Sequence, residues 1–219
     1  MRSRSFLPVL LMMVFAASPL LAAGSNRSAT EPRDPHDDAV VSFNDGLASR
    51  DRAWKLEKDL AKAPNEAARA KIAEKIRKAY QSAVRAQRSA VRYDPKLYQA
   101  HGELGYALRK TGDYAAALES YDKALAIQPG YAEAIEYRAE AYLGLNRVDD
   151  ARQAYMTLHN GGDAARAKML AGAMAKWLRQ RRTDPGGVAA GKTDEFATWP
   201  SQRTEISRAT ASGSEGTWK

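Results

Sequence analysis

Residues 98–131 read YQAHGELGYALRKTGDYAAALESYDKALAIQPGY, and this stretch decides the fold. Leu104, Leu108, Leu118, Tyr121 and Leu125 recur at three- and four-residue spacings, which gives two helices with one apolar stripe each. Thr111-Gly112-Asp113 separates them: glycine supplies a left-handed C-cap, and Asp113 is placed to cap the next helix. Pro129 ends the second helix, because proline lacks an amide donor and clashes with the preceding turn. Gly105 and Ala117 are small where the two helices are expected to cross closely.

The same landmarks echo at an offset of 34 residues on both sides. Pro95 precedes Pro129, Tyr80 precedes Tyr114, and Tyr121 is followed by Tyr155. Ala83, Ala117 and Ala151 keep the offset, as do Ala90 with Ala124 and Gly112 with Asn146. A period of this length marks a helical solenoid, whose helix–turn–helix units bury their apolar faces only by stacking.

Within residues 98–131 the pattern is His101-x2-Leu104-Gly105-x2-Leu108, then Ala117-x3-Tyr121, Ala124 and Pro129. This resembles the tetratricopeptide repeat, W-x2-L-G-x2-Y followed by A-x3-F and a terminal proline. Residues 132–162 resemble it more loosely: Ile135 replaces the Trp, Arg138-Ala139 replaces Leu-Gly, and Tyr142 and Ala151-x3-Tyr155 are kept. Residues 38–97 read as an irregular first unit. Its first helix is expected over about 38–50, its second over 79–92 with Gln87 in the aromatic slot, and a basic helical insertion over 51–78 between them. The resemblance implies an all-α superhelix that recognises other proteins and carries no catalytic machinery.

The flanks read differently. Arg2 and Arg4 precede an apolar run, and Leu21-Ala22-Ala23 supplies small residues, so 1–23 has the layout of a secretory signal peptide cleaved near Ala23. The expected location is the periplasm or the exterior, with an uncleaved N-terminal membrane anchor as the lesser alternative. Residues 24–37 read as a flexible linker, 163–182 as a capping helix with Asp163 at its N-cap, and 183–219 as a disordered tail. The chain has no cysteine, so neither disulfides nor a lipidated cysteine contribute.

Charge is unevenly spread. Residues 50–92 hold thirteen Lys/Arg against five Asp/Glu, whereas 93–160 hold seven against ten. Residues 161–182 hold six Lys/Arg against one Asp, so two basic blocks flank a mildly acidic core, and a polyanion- or envelope-surface binder is the alternative to a protein-binding scaffold. Nucleic acid is not an expected partner, and the basic blocks suggest at most a weak contact with an anionic envelope surface.

No catalytic constellation is visible. His36, His101 and His159 are far apart, and His101 stands in a helix-packing slot. Gly186 to Thr193 matches the P-loop string, but no apolar strand leads in and Pro200 stops any helix leading out. No nucleotide, metal or other cofactor is therefore expected.

In the family the first helix of each unit lines the concave groove. The resemblance therefore implies a partner-binding face of Gln99, Tyr106, Arg109 and Lys110 from one unit and Glu133, Glu136 and Glu140 from the next. Tyr106 is the expected aromatic anchor. Gly102 and Tyr106 stand near where some members place Lys and Asn to clamp a C-terminal carboxylate, so that mode is not implied.

Overall fold

The computed structural model describes residues 34–182 and 198–199. The signal-like segment, most of the linker, the P-loop-like string and the rest of the tail lie outside the described residues. Among the described residues seven helices follow one another: α1 (Pro35–Leu60), α2 (Glu66–Tyr93), α3 (Tyr98–Lys110), α4 (Tyr114–Ile127), α5 (Ala132–Gly144), α6 (Val148–Asn160) and α7 (Ala164–Arg182). They pair as hairpins α1–α2, α3–α4 and α5–α6, with α7 packed on α5 and α6. The odd-numbered helices also touch one another in sequence, α1 to α3, α3 to α5 and α5 to α7, and so share one face. Among the described residues no helix is long and apolar enough to cross a membrane.

The helix boundaries follow from local chemistry. Gly112, Asn146 and Gly162 close α3, α5 and α6 with φ of +88°, +59° and +83°, the left-handed conformation a helix C-terminus needs. After each, an amide reaches back over the last turn: Asp113 N to Leu108 O, Arg147 N to Tyr142 O, and Asp163 N to Leu158 O. Asp113 then caps α4 through Ala116 N at 3.2 Å, and Asp163 caps α7 through Arg166 N at 3.0 Å. The capping helix expected over 163–182 is α7.

The close crossings are also physical. A Cβ on Gly105 would lie 2.7 Å from the Tyr121 ring, and Tyr121 is fully buried. The same crossing in the first hairpin pairs Gly46 with Gln87, 1% exposed, whose amide donates to Phe43 O at 3.1 Å. In the third it pairs Ala139 with Tyr155, both buried. His101, expected as a packing residue, is 7% exposed and hydrogen-bonds Pro95 O through Nε2 at 3.0 Å.

Two expectations need correction. No separate insertion exists over 51–78: α1 runs on to Leu60 and α2 begins at Glu66, so the basic residues lengthen both helices of the first hairpin. Within-helix pairs support this, Arg77 with Glu74 at 2.6 Å and Lys78 with Glu74 at 3.6 Å, and Asn65 caps α2 through Ala68 N at 2.8 Å. Residues 35–37, expected in the linker, instead belong to α1: Asp34 caps it through His36 N, with Pro35 in its first turn.

Candidate functional site

The face shared by α1, α3, α5 and α7 carries most of the residues singled out from sequence, and its chemistry is a ladder of contacts between neighbouring helices. Arg50 on α1 pairs with Glu103 on α3. Lys110 on α3 reaches back to Glu57 on α1 at 2.6 Å. Arg109 on α3 pairs with Glu140 on α5. Arg166 on α7 holds both Glu133 and Glu136 on α5, the latter at 2.7 Å. Every step of the stack is thus bridged by opposite charges.

Aromatic rings run through the same ladder. Tyr106 packs against Trp54, Tyr80 and Tyr137, with ring centroids 6.0, 6.2 and 5.0 Å away. The indole N–H of Trp54 donates to the Tyr106 hydroxyl at 2.6 Å. The Arg109 guanidinium lies 5.1 Å from the Tyr106 ring and 5.3 Å from that of Tyr137. Arg50 stacks on Trp54 at 4.2 Å. Cations and rings alternate, each desolvating and fixing the next.

Burial sets the protonation preferences. It raises the Glu136 carboxyl above the usual range, with Arg166 pulling it partly back, and raises Glu103 in the same way against Arg50. Burial disfavours the Arg109 charge, but Glu140 and the neighbouring tyrosines more than offset this, and its pKa rises. The Tyr80 hydroxyl is pushed well up by burial and by Tyr106 and Glu57, and it donates to Glu57 Oε1 at 2.9 Å.

Arg109, Lys110 and Glu140 line an open pocket of about 310 Å³ between α3, α5 and α7. Tyr114, Leu143, Gly144, Ala173, Lys176, Trp177 and Gln180 complete its wall. Apolar and charged groups of both signs meet there, and Lys176 has no ion-pair partner among the described residues. The described residues contain no cluster of three or more His, Asp or Glu side chains that could hold a metal ion.

The other expected groove residues sit differently. Tyr106 is 8% exposed, so it is no free anchor: lengthening α1 places Trp54 over it. Glu136 is 2% exposed, beneath Arg166. Glu133 shares that arginine, and Gln99 is half-buried on the first turn of α3 outside the pocket wall. Trp54, Tyr137, Lys176 and Arg166 are the additions from structure. Arg166 and Lys176 belong to a helix whose sequence pattern says only that it caps the solenoid, and Trp54 lay in the stretch read as an insertion.

Stacked helical hairpins whose first helices share one face define a helical-repeat protein. Residues 108–174 match the tetratricopeptide repeat family. Among solved structures, the crystal structure of MamA protein superposes with a TM-score of 0.40 at 18% identity, covering 78% of this chain and 95% of that one. No curated protein matches the sequence.

Proposed function

We propose that this protein is a non-enzymatic scaffold of the cell envelope that holds an extended or helical segment of a partner protein against the odd-helix face, at the pocket between α3, α5 and α7. Tetratricopeptide repeats are typically non-catalytic and bind proteins, which supports the class. The observation that carries the location is the contrast along the face. Around Tyr106 the surface is closed by its own ladder, whereas the 310 Å³ pocket is open and presents half-buried Ala173 and exposed Lys176 over a floor of buried Leu143 and Trp177 and the Arg109–Glu140 pair. Apolar contact with a few placed charges is what fixes a peptide segment in a groove. The signal-like layout of residues 1–23 supports export.

The test is affinity capture from native envelope with three full chains. Ala173→Trp fills the pocket from a half-buried position on its wall and should lose the partner retained by the wild type. Arg69→Glu with Lys75→Glu reverses two exposed charges on α2 and should keep it. Loss only with the charge reversal, together with steep weakening by salt, would retire the pocket in favour of polyanion binding.

A further inference from the structure

The 34-residue register places Val84, Leu118 and Arg152 at one position of three successive second helices. The first two are 7% and 8% exposed and lie in a core shared with the following unit. In the last unit the position is an arginine, and beyond it the described residues offer only α7, without a second helix to complete another unit. The structure fills this place with Trp199. Its ring lies 5.0 Å from the Arg152 guanidinium and 5.1 Å from the Tyr155 ring, edge to face at 73°. It also packs against the core built from α5, α6 and α7. Tyr155 is held from its other neighbour by stacking on His159, with centroids 5.8 Å apart and planes within 8°.

We propose that the Arg152–Tyr155 face of α6 is a receptor for an aromatic side chain, occupied in cis by Trp199. The site is chemically suited to an indole or phenol. A cation lies over one face of the ring, an aromatic edge meets it, and apolar atoms of the last core back it. Each such contact is modest at a partly exposed position, so the tether supplies the occupancy by holding Trp199 at a high effective concentration. A partner bearing a tryptophan or tyrosine in an extended segment binds by displacing Trp199. This face belongs to an even-numbered helix and is independent of the pocket on the odd-helix face.

The experiment uses the full chain labelled with 5-fluorotryptophan and a synthetic peptide of residues 194–203. The chain has four tryptophans, and the Trp199 fluorine resonance is assigned by its loss in Trp199→Ala. That resonance should sit away from its unfolded-state position and move toward it in Arg152→Ala. The peptide should bind the full-length Trp199→Ala chain with a Kd of ~1 mM or below, the scale set by tethered competition. It should bind the wild type at least about tenfold more weakly, because the site is filled, and a peptide with alanine in place of the tryptophan should not bind. A Trp199 resonance at the unfolded position, or one unmoved by Arg152→Ala, would overturn the proposal. Equal binding to both chains, or binding to neither, would do the same.

Discussion

Adding one methyl group at Gly105 probes the helix crossing on which the repeat depends. The new Cβ would lie 2.7, 2.8 and 2.9 Å from three atoms of the Tyr121 ring, where ordinary contact begins at 3.4 Å. Tyr121 is fully buried, so the ring has to move by more than about half an ångström into packed surroundings. Overpacking of this kind costs roughly 1–3 kcal/mol. The substitution also improves helix propensity by about 1 kcal/mol, which conceals part of that cost. Gly172 provides the control. It is also inside a helix, α7, and a Cβ there meets nothing within 4 Å. Gly172→Ala should therefore stabilise by about 0.5–1 kcal/mol, and Gly105→Ala should destabilise by roughly 0–2 kcal/mol. The propensity gain cancels between them, leaving a gap of about 1–3 kcal/mol that is steric in origin. Urea unfolding followed by far-UV circular dichroism measures both. Equal stabilisation by the two substitutions would refute the crossing.

Three further outcomes follow from named contacts. Asp113→Ala removes the cap on α4 and should lower stability by about 1 kcal/mol in the same assay, whereas Asp113→Asn should lower it by much less. Tyr80→Phe deletes the hydroxyl that donates to Glu57 and should cost about 0.5–1.5 kcal/mol, read from the shift of the urea midpoint. Glu136 has a raised pKa in the folded state, so its protonated form favours folding. Its contribution is fully present below the ordinary glutamate pKa and is lost as pH rises through the raised value. Melting curves of wild type and Glu136→Gln should therefore diverge in the wild type's disfavour as pH rises through and above the carboxylate range. A pH-independent difference would mean that burial does not act on this carboxyl.

The parts of the fold that sequence revealed are those where a backbone or packing requirement leaves few residue choices. Gly112 and Asn146 mark left-handed turns, and Gly105 with Tyr121 marks a crossing, so the register of α3 to α6 could be read directly. The first hairpin was harder. Its extension over 51–78 carries no repeated landmark, and solvated Lys, Arg and Glu lengthen a helix as readily as they form an inserted one. Ser120 illustrates the limit of polarity as a guide: although polar, it is only 6% exposed, with its hydroxyl donating to Ala116 O at 2.9 Å. The site was legible as a face but not as a surface. Repeat geometry placed Tyr106, Arg109, Glu136 and Glu140 on first helices, and in the structure those helices, α3 and α5, share one face. Whether each is open depended on Trp54 and Arg166, which come from elements 52 and 30 residues away from their partners.

The central claim, that a partner segment lies in the pocket between α3, α5 and α7, is tested most directly by photocrosslinking from single positions. A photoreactive phenylalanine analogue replaces Lys176 on the pocket wall in one chain and exposed Lys75 on α2 in another, both full-length and both compared by circular dichroism. The account predicts a discrete crosslinked protein from position 176, mapping to one short segment of that partner, abolished by Ala173→Trp and absent from position 75. Equal crosslinking from both positions, or a product from 176 that survives Ala173→Trp, would contradict it.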